Sequence, residues 1–372
     1  METLAENTTE NPTVSSMSIS VQTTKTKILI IYTGGTVGMI LDEKLQALRP
    51  LAFSEIKHRI PEMYRLGYHF FVYPFSPPID SSDMQPEIWI EMADIIERNY
   101  RYYDGFVILH GTDTMSFTAS ALSFMFENLG KPVVITGSQL PIGMIRTDAR
   151  ENIITAIEIA AARDENGKAI IPEVCIYFDS MLFRGNRTKK YNAEKFEAFY
   201  SMNYPALGEA GVDIKYRQQL ILPGPAGDFK VHKKFNPNIA VLKIFPGITR
   251  VAVEAILNCP EIKGVIMESF GNGNATTAAW FIDCIKAATA GGLPVLNITQ
   301  CDGGSVTLGR YESSKYLMEA GVISGFDMTF ESAVTKMMFL LGNGLKGDAL
   351  KRLLQTPMRG ELTRAGEHRD LV

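Results

Sequence analysis

A threonine within a glycine turn is the first residue in this chain that suggests chemistry. Thr36 lies in the segment TGGTVGM (residues 33–39), which directly follows the apolar run KILII at residues 27–31. This order predicts a strand that ends in a glycine turn, and ligands of open α/β sheets bind at the carboxyl ends of strands. Paired glycines also let backbone amides approach a reacting atom closely. Thr36 is therefore a candidate nucleophile, although glycine turns after strands are common without catalysis.

A second segment repeats this layout. The sequence LHGTDTM (residues 109–115) places Thr112 and Asp113 directly after another apolar run. Since neighbouring parallel strands bring their carboxyl ends into one crevice, we expect Thr36, Thr112 and Asp113 to meet there. Two hydroxyls and a carboxylate in one crevice indicate acyl transfer, in which an activated hydroxyl attacks an amide carbon. The alternative is that Thr112 and Asp113 only cap a helix that begins near Thr114.

The hydroxyl nucleophile needs a base. An amine serves when burial or positive neighbours keep it partly neutral at the working pH. The segment RGNRTKK (residues 184–190) offers Lys190 in a cationic setting, and we select it. A run of this composition is also typical of a solvated loop or an anion-binding patch. His110, beside the second motif, is interpreted as a supporting or packing residue rather than a general base.

A third segment, IDSSDM (residues 79–84), follows a predicted strand and precedes a predicted helix. Its amides and hydroxyls, at Asp80, Ser81 and Ser82, are candidates for binding a substrate carboxylate, as helix starts do. The alternative is that Ser82 and Asp83 cap the helix at Glu87. Histidine spacing and the absence of a CxxC pair among the cysteines give no indication of a metal site.

Short β-branched runs alternate with helical periodicity along most of the chain, which is typical of parallel βα units. In the first half we predict strands at 27–32, 69–73, 105–109, 132–136 and 173–178, and helices at about 88–96 and 146–162. A segment rich in proline, glycine and polar residues then predicts a linker. Beyond it we predict strands at 239–244, 264–267 and 294–298, and helices near 250–257 and 276–290.

The chain has 372 residues, more than one hydrophobic core usually supports, which favours two domains. We predict an α/β fold with a larger N-terminal domain, whose sheet is mostly parallel with flavodoxin-like layering, and a smaller, Rossmann-like C-terminal α/β domain. The predicted limits are a disordered tail at 1–24, the catalytic domain at 25–212, the linker at 213–238 and the C-terminal domain at 239–372.

Composition bears on the partner and the compartment. The net charge is only −4, with lysines and arginines dispersed, so no nucleic acid or anionic membrane partner is expected. No apolar run reaches the ~18 residues of a membrane span. The first two dozen residues are polar and lack the apolar region of a secretory signal, so we expect a cytoplasmic protein with a small-molecule substrate.

Five segments together closely resemble those of bacterial-type L-asparaginases: the three motifs above, RGNRTKK, and ITGSQLP at residues 135–141. Their order and spacing are similar to the cytoplasmic type I branch. The resemblance covers residues 25–354, continuing through GNGNA at 271–275 and EAGVISGFDMT at 319–329.

This resemblance implies hydrolysis of L-asparagine to L-aspartate and ammonia through a covalent acyl-threonine, without metal or organic cofactor. It implies that Thr36 is the nucleophile and that Thr112, Asp113 and Lys190 relay protons. Ser81 and Asp113 would hold the α-carboxylate and α-amino groups of the substrate. It also implies a homodimer or homotetramer with active sites at the subunit boundary.

Three departures from the family pattern limit this transfer. Residues 37–63 contain no tyrosine, so none is assigned to the relay. Arg310 aligns where secreted members bring a glutamate from the partner subunit. Lys189 and Glu268 replace a threonine and an arginine of allosterically regulated members, so we expect cooperativity to be weak or absent; if it is present, Cys301 and residues 310–316 are where to look.

Two other functions remain open. One is a glutaminase or partner-dependent amidase, acting on glutamine or on misacylated glutamyl-tRNA; the short polar segment before the first strand and the mild acidity disfavour the tRNA reaction. The other is a non-catalytic amino-acid-binding protein on the same fold. A nucleotide-binding role is disfavoured because TGGTVG does not match GxGxxG.

Overall fold

The computed structural model describes residues 15–16, 26–42, 47–50, 59–310 and 312–364. The helices in these ranges are α1 (Pro86–Asn99), α2 (Met115–Met125), α3 (Ala149–Ala161), α4 (Arg250–Leu257), α5 (Ala279–Ala290), α6 (Glu312–Glu319), α7 (Phe330–Gly342) and α8 (Gly347–Leu354). The strands up to the middle of the chain are β1 (Ser15–Ser16), β2 (Lys27–Gly34), β3 (Met39–Asp42), β4 (Ala47–Pro50), β5 (His69–Ile79), β6 (Gly105–Leu109), β7 (Phe126–Glu127), β8 (Val133–Thr136), β9 (Val174–Phe178) and β10 (Met181–Arg184). The later strands are β11 (Lys189–Lys190), β12 (Phe199–Tyr200), β13 (Gly208–Ala210), β14 (Ile214–Tyr216), β15 (Lys230–Val231), β16 (Ile239–Lys243), β17 (Gly264–Ser269), β18 (Val295–Thr299) and β19 (Ile323–Ser324).

The large sheet has its parallel strands in the centre. Over the described residues its order is β1-β5-β2-β6-β8-β9-β10-β13-β14. The strands β5, β2, β6, β8 and β9 are mutually parallel, and counted along the chain they stand in the order 2-1-3-4-5. This is the flavodoxin-like order, in which ligands bind outside the carboxyl ends of the first and third strands. The predicted larger domain with a mostly parallel sheet is confirmed.

The central strands are buried on both faces. In β2, Leu29 and Ile31 pack with α1 and α2, whereas Ile28 and Ile30 pack with α3 on the opposite face. All four side chains are fully buried. Parallel strands covered on both faces are continuous hydrophobic runs, which is why KILII predicted this strand correctly.

The sheet continues past the limit predicted for the first domain. β10 returns antiparallel from β9, and β13 and β14 extend the sheet into the segment predicted as a linker. Further along the same segment, β15 pairs with β7. These strands have only two to four residues, so they are too short to show the apolar pattern by which the central strands are recognised. The segment at 213–238 is therefore attached to the large domain over part of its length.

The smaller sheet contains β16, β17, β18 and β19, which are parallel and follow one another in chain order. Helices α4, α5 and α6 pack on one face, and α7 and α8 pack on the other. Helix α7 also contacts α2 of the large domain, where Phe124 stacks on Phe339 at 6.1 Å between ring centroids. The predicted smaller α/β domain is confirmed, and α7 lies between it and the large domain.

The predicted disordered tail at 1–24 falls outside the described residues, apart from Ser15 and Ser16, which pair with β5. Within the described ranges, no helix combines the length and apolar character needed to cross a membrane.

Candidate active site

The loops that follow β2, β5 and β6 meet at the carboxyl edge of the large sheet. A Cβ on Gly35 would lie 2.4 Å from the Cα of Gly111, and a Cβ on Gly111 would lie 2.5 Å from Ser81 Oγ. Contacts this short exclude any side chain, so glycine is required at both positions. The close approach places Thr36, Ser81 and Thr112 at one edge of the sheet.

Replacing Gly35 by alanine is expected to abolish activity. The new methyl group would overlap the Gly111 backbone, and the φ of Gly35, +80°, is strained for alanine. Gly224→Ala is the matched control, because no atom lies within 4 Å of the position that its Cβ would take. Activity and melting temperature, measured for both variants, test this expectation. An active Gly35→Ala enzyme would contradict the packing described for the two turns.

A lysine joins the second motif to the segment RGNRTKK. Lys190 Nζ donates hydrogen bonds to Thr112 Oγ1 at 2.8 Å and to Asp113 Oδ1 at 2.7 Å. Thr112 is buried and the side chain of Lys190 is 17% exposed, whereas that of Asp113 is 63% exposed. The carboxylate is thus open to a ligand while its partner amine is shielded. This arrangement provides a path for a proton between the Thr112 hydroxyl and the amine.

Thr36 begins a 3-10 turn, Thr36–Gly38, which is separated from β2 by Gly35 alone, and it is partly exposed. The turn is closed by a backbone hydrogen bond from Gly38 N to Gly35 O at 3.1 Å. The hydroxyl of Tyr32, itself almost fully buried, donates to Gly38 O at 3.2 Å. The candidate nucleophile therefore lies on a turn that is hydrogen-bonded to the strand before it.

Thr112 and Asp113 do not cap helix α2. The N-cap residue is Thr114, and its side chain makes no capping hydrogen bond. Instead, Thr114 Oγ1 donates to the carbonyl of Ser81 at 2.7 Å and so joins the loops after β5 and β6. The capping alternative for Thr112 and Asp113 is wrong, because both side chains are engaged by Lys190.

Ser81 is the buried member of its segment, and its neighbours are exposed. Asp80 Oδ1 accepts a hydrogen bond from Ser82 N at 2.9 Å and caps the short turn Ser81–Asp83. Helix α1 begins later, with Gln85 as its N-cap. Ser82 and Asp83 therefore do not cap that helix, and the Asp80 to Ser82 bond shapes the turn that carries Ser81.

His110 supports the turn from beneath. Its Nδ1 lies 2.6 Å from Gly111 O and its Nε2 lies 2.9 Å from Thr118 Oγ1, which also accepts from Trp89 Nε1 at 3.0 Å. These contacts are all satisfied by a neutral ring that donates from Nδ1 and accepts from the Thr118 hydroxyl. Burial lowers the pKa of His110 to about 4. The geometry supports the interpretation of a supporting residue.

Stability is expected to fall on acidification because of His110. Its pKa is about 4 when folded and 6.5 ordinarily, so the unfolded chain takes up the proton first as the pH falls. Stability from this group is complete above pH ~6.5 and is lost towards pH ~4, a difference of ~3 kcal/mol. The free energy of unfolding of the wild type and of His110→Asn, measured with denaturant between these pH values, tests this expectation. If it falls equally steeply with pH in both proteins, His110 is not the group responsible.

The arginines of RGNRTKK are not a solvated loop or an anion-binding patch. Arg184 forms a buried ion pair with Glu173 at 2.7 Å, and Arg187 forms one with Asp327 at 2.9 Å. Lys189 is more exposed than the adjacent Lys190, and it pairs with Asp302 at 2.6 Å. All three acidic partners lie outside the segment, and Asp302 and Asp327 lie far away in the sequence, so the composition of the segment alone did not reveal them.

Sequence reasoning gave no role to Gln139, although it singled out the motif ITGSQLP. Gln139 Oε1 lies 3.4 Å from Thr112 Oγ1, and Gln139 Nε2 donates to Lys195 O at 2.9 Å. The sequence did contain a signal for it, because Gln139 is a polar residue that follows a predicted strand of the sheet whose strands precede the two threonines.

Glu268 is one of the positions noted for cooperativity. It pairs with Lys243 at 3.7 Å.

Comparison with known proteins shows the family of the chain. The family model "Asparaginase, N-terminal" matches residues 27–222, and the model "Glutaminase/Asparaginase C-terminal domain" matches residues 238–354. The chain belongs to the asparaginase family. This membership confirms the resemblance inferred from the five motifs.

Individual members of the asparaginase family are similar along most of the chain. L-asparaginase 1 of Escherichia coli K12 is 42% identical over 347 residues, which cover 91% of this chain and 98% of that protein. The crystal structure of L-asparaginase I from Vibrio cholerae matches with a TM-score of 0.83 at 41% identity, covering 92% and 100% of the two chains. The thermostable L-asparaginase from Thermococcus kodakarensis also gives 0.83, at 30% identity and 91% and 100% coverage.

Proposed function

We propose that the protein hydrolyses L-asparagine to L-aspartate and ammonia through an acyl intermediate on Thr36. The observation that carries the proposal is the hydrogen-bonded group of Lys190, Thr112 and Asp113, which faces the same sheet edge as the Thr36 turn. Membership of the asparaginase family supports the amide as the bond that is cleaved.

In the first displacement, the Thr36 hydroxyl attacks the side-chain amide carbon of asparagine. Its proton passes by way of Thr112 to Lys190 Nζ and from there to the departing amide nitrogen, which leaves as ammonia when the C–N bond breaks. Backbone amides near Thr36 and Thr112 stabilise the oxyanion, and each such donor contributes about 3 kcal/mol. In the second displacement, water attacks the ester carbon, and Thr36 regains its proton as aspartate leaves.

Substrate recognition is assigned to the exposed side of the cluster. Asp113 accepts hydrogen bonds from the α-ammonium group, since its carboxylate is largely exposed beside Lys190. Ser81 donates to the α-carboxylate. Asp80 and Ser82 are assigned to the same substrate-binding turn, where the hydrogen bond between them maintains the position of Ser81.

Ammonia release from L-asparagine and from L-glutamine, measured over a range of concentrations, tests the proposed substrate. We expect the higher kcat/KM with asparagine, although one methylene changes selectivity by only ~1–3 kcal/mol. Release from neither amide by a folded protein would contradict hydrolysis. Faster release from glutamine would replace asparagine with glutamine as the substrate.

We also propose a homodimer or homotetramer in the cytoplasm, as the resemblance to the type I branch implies. Light scattering of the purified protein tests the assembly. A monomer that hydrolyses asparagine at full rate would contradict active sites that need a partner subunit.

A further inference from the structure

The strand that carries Lys190 follows a buried turn, residues 184–188, which contacts the end of the described chain. We call residues 358–363 the C-terminal clasp. Arg187 Nε donates to Gly360 O at 2.8 Å, and Asn186 Nδ2 donates to Arg359 O at 2.9 Å. Arg187 Nη2 also donates to Thr363 Oγ1 at 2.5 Å. These bonds attach the clasp to residues that immediately precede the Lys190 strand.

The clasp is anchored in the smaller domain by a buried ion pair. Lys336 Nζ of helix α7 lies 2.5 Å from Glu361 Oε1, and neither side chain is exposed. Glu361 also accepts from the backbone of Met358 at 2.9 Å and of Arg359 at 2.8 Å. Opposite charge lowers the pKa of Glu361 despite its burial. A carboxylate with this many donors holds the backbone of the clasp in one conformation.

Arg187 is held by the smaller domain as well as by the clasp. Its Nη1 lies 2.9 Å from Asp327 Oδ2, and the other oxygen of Asp327 accepts from Thr363 N at 2.7 Å. The guanidinium is 2% exposed. The three guanidinium nitrogens contact Asp327, Gly360 and Thr363 separately, and a lysine ammonium, with its single nitrogen, does not replace this fork.

The opposite side of the turn packs on the helix that follows the second motif. A Cβ on Gly185 would lie 2.9 Å from the Cβ of Ala119 in α2. On the clasp side, a Cβ on Gly360 would lie 2.4 Å from Arg184 Nη1. The turn is thus confined between α2 and the clasp, and a shift of the turn would move Lys190 relative to Thr112.

We propose that Arg187 is a positioning residue for the reaction. By joining the turn to the C-terminal clasp and to Asp327, it holds Lys190 Nζ within 2.8 Å of Thr112 Oγ1. Arg187 donates hydrogen bonds to the clasp and forms an ion pair with Asp327, and it does not contact the reacting groups, so it acts through the geometry of Lys190. This inference rests on the proposed role of Lys190 as the base.

Two variants test the positioning role, one by removing all the contacts of the Arg187 guanidinium and the other by removing a single contact. Arg187→Met removes the guanidinium, whereas Thr363→Val keeps the shape of Thr363 and removes only the acceptor for Arg187. We expect kcat for asparagine to fall ~100-fold in Arg187→Met and several-fold in Thr363→Val, with KM changed less than about threefold, because small displacements of a catalytic group act on kcat. Arg187→Lys keeps the charge but not the fork, and it is expected to leave kcat low.

Arg163→Met is the matched control. Arg163 is a partly buried arginine that donates to Asp104 O and Ala160 O at the amino end of β6, away from the catalytic edge. Its loss is expected to lower the melting temperature and to leave kcat unchanged when measured well below that temperature. Circular dichroism shows which variants are folded.

Wild-type kcat in folded Arg187→Met would overturn the positioning role. If that variant does not fold, wild-type kcat in Thr363→Val would do so. A change in melting temperature alone, or in KM alone, would overturn it too. The proposed function is tested separately: it is wrong if the wild type is inactive or if Thr36→Ala is active. If Thr36→Ala is inactive while Arg187→Met and Thr363→Val keep wild-type kcat, only the positioning role is wrong.

Discussion

Thr36→Ala is expected to lower kcat for L-asparagine by a factor on the order of 10⁴ or more, since removal of a covalent nucleophile has effects of this size or larger. Thr36 lies on the turn after β2, where the loops of the large sheet converge. Its side chain is partly exposed, so its replacement is expected to change the melting temperature little. Ammonia release and thermal unfolding, measured on the same preparation, test both parts.

Thr36→Ser is the matched control, because it keeps the hydroxyl and removes only a methyl group. We expect it to retain a measurable part of the activity. A folded Thr36→Ala enzyme with substantial turnover would contradict Thr36 as the nucleophile. An inactive Thr36→Ser beside an inactive Thr36→Ala would show that the methyl group, too, is needed to orient the hydroxyl.

Lys190→Met is expected to lower kcat by ~10²–10⁴-fold, the range for loss of a general base. The variant removes the hydrogen bonds to Thr112 Oγ1 and Asp113 Oδ1 and keeps most of the volume of the side chain. KM is expected to rise less than kcat falls, because the carboxylate proposed to bind the α-ammonium group remains. Steady-state kinetics over a range of asparagine concentrations separate the two effects.

Lys189→Met provides the control at the adjacent position. Lys189 pairs with Asp302 in a partly exposed ion pair, a type that contributes less than ~1 kcal/mol to stability. We expect it to keep wild-type kcat. If Lys190→Met also kept it, Lys190 would not be the base, and the proton relay would need another acceptor.

The central parallel strands were predicted well because each is a buried apolar run, and helices α1, α3, α4 and α5 were predicted because each is long enough to carry a helical period. The strand at Gly105–Leu109 and the helix at Arg250–Leu257 have the predicted limits. The last helices were missed. In α7, Glu331 and Lys336 are buried, which hides the amphipathic pattern, and the partner of Lys336 is Glu361, at the end of the described chain.

The meeting of the first two motifs was predictable in outline, because carboxyl ends of neighbouring parallel strands share one edge. The position of Lys190 was not. It depends on the turn at 184–188, whose contacts come from Asp327 and from residues 358–363. Composition also favoured a solvated run there, and the cationic setting from which we selected Lys190 did not show which residues hold it in place. Contacts between segments so far apart leave no trace in local periodicity.

The central claim is that Thr36 carries the acyl group. Acid quenching of the wild type during turnover of L-asparagine, followed by peptide mapping with mass spectrometry, tests it most directly. We predict one aspartyl group, lacking the amide nitrogen, on the peptide that contains Thr36, and none on that peptide in Thr36→Ala. An aspartyl group on Thr112 or on any other residue, with Thr36 unmodified, would contradict the account.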